Sequence, residues 1–144
     1  MGGWNLPHKN PQPNIEATMR DRKAKQFLEE LCQINESVPI IVEGFRDVQA
    51  LRALGIQGEI VKLHSGRSIQ QFCEEFSEHH EEVVILTDWD NRGNQLFHLV
   101  TRFMDANWEP YNHFRQTLRD LAGGAFQQVE RMTMWEHLSL ANQA

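Results

Sequence analysis

Apolar residues follow two rhythms along this chain. Short unbroken runs, "IIV" at Ile40–Val42, "EIVKL" at Glu59–Leu63 and "VVILT" at Val83–Thr87, alternate with stretches whose apolar residues recur three and four apart. The first rhythm fits strands covered on both faces, and the second fits amphipathic helices. Ile15, Met19, Phe27, Leu28 and Leu31 predict an N-terminal helix over residues 14–37, with Asn14 as its N-cap. Val48, Leu51 and Leu54 predict a helix that Gly55 stops. Ser68 and Gln71 have capping-box spacing ahead of Ile69, Phe72, Cys73 and Phe76. Leu96, Leu99, Val100, Phe103 and Met104 share one helical face. A fourth strand is expected near "EPYNHF", before a helix from about Arg115 to Leu121 that Gly123 and Gly124 close. The segment "FQQVERMTMWEHLSL" reads as helical without clear caps, leaving residues 132–144 as a C-terminal helix or tail.

Strands alternating with helices require crossover connections, so the pattern predicts an α/β fold with a mainly parallel sheet of about four strands and helices on both faces. Ligands in such sheets bind beyond the carboxyl ends of the strands. Here those ends carry "EG", "HSGRS" and "DWDNRG".

Composition narrows the class further. A chain of 144 residues fits one domain, and 40% hydrophobic with 24% charged residues is ordinary for a globular protein. Residues 1–13, with Pro7, Pro11 and Pro13, are expected to form an extended tail. No apolar run approaches a membrane span and the start lacks a signal peptide's pattern, so a cytoplasmic location and no membrane partner are expected. Cys32 and Cys73 lack metal-site spacing and fit buried thiols. A net charge of −6 argues against holding nucleic acid by bulk electrostatics, leaving a local basic patch, a bridging metal or a protein partner to do so.

Asp88 and Asp90 stand two apart where the third strand ends, and Glu43 ends the first strand in the corresponding way. Like charges this close repel unless a cation or hydrogen-bond donors offset them. Magnesium suits such a place because it takes one or two carboxylates and completes its shell with water and phosphate. Asp90 alone also suits an N-cap, and an aspartate at position 47 suits the first turn of a helix.

The elements "IIVEGFRDVQALRALG" and "VVILTDWDNRG", in this order and separation, resemble the Toprim domain shared by topoisomerases, bacterial primases, OLD-family nucleases and 5S ribosomal RNA maturation nucleases. The resemblance spans residues 38–131 and is nearest to the small stand-alone archaeal Toprim proteins. It implies a Toprim-like, Rossmann-like three-layer α/β/α fold, with the N-terminal helix added. It implies Glu43 as general acid or base and metal ligand, Asp88 and Asp90 as ligands of Mg2+ (with Mn2+ as a substitute), and Asp47 as a supporting group. The loop Ser65, Gly66, Arg67 and Ser68 would receive phosphate, with Arg92, Arg115 and Arg119 as further phosphate contacts. Arg92 also suits a pairing with Glu43 or an aspartate, and Arg115 and Arg119 also suit a solvated helix face. His64 lies in the same loop as Ser65, and "QVER" near Glu130 is similar to a valine-glutamate element of the maturation nucleases.

The expected function is a magnesium-dependent nuclease or phosphotransferase acting on nucleic acid, with RNA favoured by the maturation-nuclease similarity. The alternative is a non-catalytic metal- and nucleic-acid-binding module within a larger complex, which the acidic charge favours. A topoisomerase would need a nucleophilic tyrosine on another domain, and Tyr111 is the single tyrosine here. Haloacid-dehalogenase-like phosphatases place threonine or valine where Arg92 stands and carry their DxD on the first strand.

Overall fold

The computed structural model of the chain describes residues 15–63 and 66–142. The expected tail 1–13, the Asn14 cap, His64 and Ser65 lie outside the described residues. The chain opens with helix α1 (Ile15–Asn35), in which Ala24, Phe27, Leu28 and Leu31 form the buried stripe. Met19, expected on that stripe, is exposed. Asn35 ends the helix and ties it to the sheet, its buried amide donating to the carbonyls of Val38 at 3.0 Å and Glu59 at 2.9 Å.

Strand β1 (Ile40–Val42) lies between β2 (Ile60–Lys62) and β3 (Val84–Ile85), giving the parallel order β2-β1-β3. Ile40 pairs with Ile60 on one side and with Val84 on the other. Helix α2 (Phe45–Ala53) connects β1 to β2, α3 (Ile69–His79) connects β2 to β3, and α4 (Asn91–Phe103) follows β3. Successive residues of β1 face opposite sides. Ile40 and Val42 join the core under α1, α2 and α5 (Asn112–Ala122), whereas Ile41 joins the core under α3 and α4. The three-layer expectation holds.

Among the described residues the sheet has three strands, not the four expected. The segment around "EPYNHF" is instead a tight 3-10 turn, Glu109–Tyr111, running straight into α5. Pro110 near its start has no N–H for a ladder and a φ that suits a helix start. Phe114, Leu118 and Ala122 then bury one helical stripe. What strand character exists there is an isolated parallel bridge between Glu82 and Asn107.

The segment expected to be helical after Phe126 forms 3-10 turns over Val129–Leu138, broken at Trp135, and again over Leu140–Asn142. It packs along α2 and bonds to its end, where Ser139 Oγ donates to the Ala53 carbonyl at 2.8 Å and Leu140 N to the Leu54 carbonyl at 3.0 Å. Gly55, at φ 96°, makes the turn there, and a Cβ on it would lie 2.8 Å from that of Leu140. Of the two thiols, Cys73 is buried and Cys32 is partly so.

Candidate acidic site

The central position of β1 decides which carboxylates meet. Because β3 is its neighbour, Leu86 N still reaches the Ile41 carbonyl at 2.8 Å, and the two chains leave the sheet side by side. Asp88 N then donates to Glu43 Oε2 at 2.8 Å, joining residues far apart in sequence. Asp47, only 6% exposed, occupies the third position of α2, and its Oδ2 accepts from Gly44 N at 3.1 Å. Asp90 caps α4 by accepting from Gly93 N at 2.8 Å. The helix-start alternative for Asp47 and Asp90 is therefore realised, within a cluster that also contains Glu43 and Asp88.

Gly93 is fixed by contact. A Cβ there would lie 2.1 Å from the Asp88 carbonyl oxygen, so a side chain at this point would push the acidic loop away from the first turn of α4. The spacing from Asp88 to Gly93 is thus a steric requirement. Trp89 turns inward between the two aspartates, its indole N–H donating to the Phe126 carbonyl at 3.2 Å.

Residues 126–130 lie across the acids as a strap. Trp89 N donates to the Gln127 carbonyl at 2.9 Å, Gln128 Nε2 to Asp90 Oδ2 at 3.2 Å, and Val129 N to Asp88 Oδ1 at 2.8 Å. The Glu130 amide donates to the Asp47 carboxylate. Burial nevertheless raises the pKa of Asp88 to about 7 against the Val129 bond, with the charges of Glu43, Asp47 and Asp90 adding to the rise. Asp47 is also raised, first by burial and then by Glu43 and Glu130, while the Gly44 and Glu130 amides oppose the rise.

Arg115 enters from α5. Its Nε donates to the Thr87 carbonyl at 3.0 Å, and its Nη2 donates to the Asp88 carbonyl at 2.6 Å and to Asn94 Oδ1 at 2.8 Å. The guanidinium also lies over the Phe97 ring, 4.5 Å from its centroid. The solvated-face alternative for Arg115 is thereby corrected, because the first turns of α5 place it against the end of β3. Arg119 keeps that description, exposed and 3.8 Å from Asp120.

The other candidates are dispersed. Arg92 is exposed on α4 and pairs with neither Glu43 nor an aspartate among the described residues. Ser68 caps α3, accepting from Gln71 N at 3.1 Å, as its capping-box spacing predicts. Arg67 ion-pairs with Glu75 and covers the Phe72 ring, and Gly66 is exposed. Asn94, Gln128 and the Val129 amide were not legible as site groups. Only "QVER" pointed toward the strap.

Among the described residues, no three His, Cys, Asp or Glu side chains converge tightly enough to enclose a metal ion by themselves. The reason is visible in the hydrogen bonds, since each acid directs one oxygen at a backbone amide. Glu43 Oε1 and Asp88 Oδ2 accept no hydrogen bond among the described residues. Two such oxygens with a raised Asp88 suit a hard cation that brings its own water and a phosphate.

Fold and site together define an α/β protein whose parallel sheet gathers carboxylates at its carboxyl edge. The Toprim-like family pattern matches residues 40–121, and the chain belongs to that family. Its relatives include a UPF0292 protein of Methanosarcina barkeri, 36% identical over 115 residues, which are 78% of this chain and 80% of the relative. Another UPF0292 protein, from Thermococcus kodakarensis, is 41% identical over 106 residues, 69% of this chain and 78% of the relative. A third, from Thermoplasma volcanium, is 50% identical over 62 residues, and there the match spans about half of the relative's length, 52%. These archaeal relatives agree with the likeness to stand-alone archaeal Toprim proteins. A solved structure of an Aquifex aeolicus protein superposes with a TM-score of 0.57 at 22% identity, covering 74% of this chain and 94% of the other. That likeness is one of fold. Family membership associates the chain with divalent-metal binding and nucleic acid. No helix among the described residues is long and apolar enough to cross a membrane.

Proposed function

We propose that this protein binds Mg2+ through Glu43 and Asp88, with Asp90 joining them, and acts on nucleic-acid phosphodiesters as a small nuclease or phosphotransferase, RNA being the favoured substrate. The observation that carries this reading is the meeting of Glu43 and Asp88 across two adjacent strand ends, each with one oxygen unengaged among the described residues. Asp90 Oδ1 is committed to α4, so its contribution is Oδ2, which the Gln128 amide would have to release. A bound Mg2+ neutralises phosphate charge and activates a nucleophile. With Oε2 engaged by Asp88 N, Glu43 Oε1 would serve either as metal ligand or as the group that takes or returns a proton, and Asp47 holds the turn next to it. Arg115 fixes the Asp88 backbone, which leaves the exposed Arg92 and Arg119, the latter 3.8 Å from Asp120, as phosphate contacts among the arginines expected to serve.

The test is cleavage of structured RNA, single-stranded DNA and supercoiled plasmid with Mg2+ or Mn2+ by wild type, Glu43→Gln and Asp88→Asn. Wild type should cut at least one substrate, and each variant should be slower by about 100-fold or more. Equal cutting by the variants would remove these residues from the mechanism. The net charge of −6 favours a second reading, a non-catalytic binding module whose partner supplies positive surface. Metal-dependent nucleic-acid binding without cleavage of any substrate would select it.

A further inference from the structure

Phe45 follows Glu43 and Gly44 directly and is the first residue of α2. Its side chain is 60% exposed, although burying a phenylalanine is worth about 1.5–3 kcal/mol. The other exposed large hydrophobics among the described residues are Met19, Leu99 and Met134, so the one aromatic ring of the set stands beside the acids. Lys62 Nζ lies over this ring, 5.8 Å from its centroid. Lys62 ends β2 in register with Val42, which brings the cation, the ring and Glu43 to one sheet edge. Arg46, the next residue, is 83% exposed and reaches Glu130 only at 4.0 Å. Gly44 adds space. A Cβ there would meet nothing within 4 Å, and its φ of −153° is extended backbone that any residue adopts. The backbone between Glu43 and Phe45 is therefore open to approach from solvent.

An accessible ring flanked by two long cations does not suit an apolar protein surface, because docking one would strip water from Lys62 and Arg46 without pairing them. It does suit a nucleotide, whose base stacks on the ring while its phosphates meet the cations. A base inside a duplex has both faces covered by its neighbours, so the nucleotide must be unpaired. We propose that Phe45, with Lys62 and Arg46, is a stacking platform for an unpaired base beside the phosphate handled at Glu43 and Asp88. The substrate is then single-stranded or locally unpaired nucleic acid. This inference rests on the function proposed above and assigns its substrate class.

Fluorescence anisotropy with short unstructured RNA and DNA strands, and with a blunt duplex of the same sequence, tests it in Ca2+ to suppress turnover. Phe45→Ala should weaken binding of the single strand about 10- to 100-fold while changing duplex binding by less than about twofold. Phe45→Tyr should bind like wild type, and the melting temperature of Phe45→Ala should match that of wild type, since the ring is exposed. The single strand that responds more, RNA or DNA, identifies the sugar. Unchanged single-strand binding by Phe45→Ala, or an equal loss on the duplex, overturns the platform. If wild type then still cuts nucleic acid and Asp88→Asn does not, the function stands without it. A wild type that binds no oligonucleotide overturns both.

Discussion

Asp88 sets the pH behaviour of the site. The folded protein holds its proton up to about pH 7, whereas an unfolded aspartate loses it near 3.8. The sign follows from this order. The native state is favoured by the extra proton at acid pH, and that advantage is lost as pH rises from about 4 through 7. Asp88→Asn, which cannot ionise and can still accept from Val129 N, should therefore exceed wild type in stability, with a gap that is larger at pH 8 than at pH 5. Urea unfolding in EDTA at the two pH values measures it. Cation binding needs the ionised carboxylate, so affinity for Mg2+ should climb by about tenfold per unit below pH 7 and level off above, read by calorimetry. The acids were legible as residues from their type, order and spacing. Their hydrogen bonds were not, because the donors at Gln128 and Val129 carry no chemical mark in sequence and lie in a segment that reads only as an indistinct helix.

At the scale of elements, α5 is clamped to the loop between β3 and α4 by a single side chain. Arg115 satisfies the Thr87 and Asp88 carbonyls and the Asn94 side chain, three acceptors on two elements. Lysine keeps the charge but lacks the planar fork that spans them. Arg115→Lys should cost about 1–3 kcal/mol in urea unfolding and weaken Mg2+ binding by loosening the Asp88 backbone, whereas Arg119→Lys should change neither. The central strand was readable because Pro39 precedes a β-branched run and a glycine turn follows it. The false fourth strand arose because Tyr111 and Phe114 gave an aromatic-rich stretch, where strand and helix start look alike until Leu118 and Ala122 are placed on the same stripe. The 3-10 turns after Gln128 had no capping signal to separate them from a helix, since their shape follows α2.

The whole molecule carries a charge of −6 and yet belongs to a family associated with nucleic acid. A net charge of −6 opposes a polyanion, so under the proposed function attachment would depend on the cation as well as on Lys62 and Arg46. Mg2+ should raise the melting temperature of wild type, by the equivalent of about 2.7 kcal/mol at a concentration 100-fold above its Kd, and should leave Asp88→Asn almost unmoved. Equal stabilisation of the two would place the cation elsewhere.

The strap carries a consequence for modularity. The family pattern ends at residue 121, yet the Val129 amide that meets Asp88 and the Gln128 side chain that meets Asp90 come later. A cassette cut at the family boundary and grafted into another protein would carry all four acids without these donors, together with an α2 stripped of the turns that cover it. A graft that kept the balance of charges at the acids would have to run on through Gln128 and Val129, because shorter ones would deliver the motif without these donors.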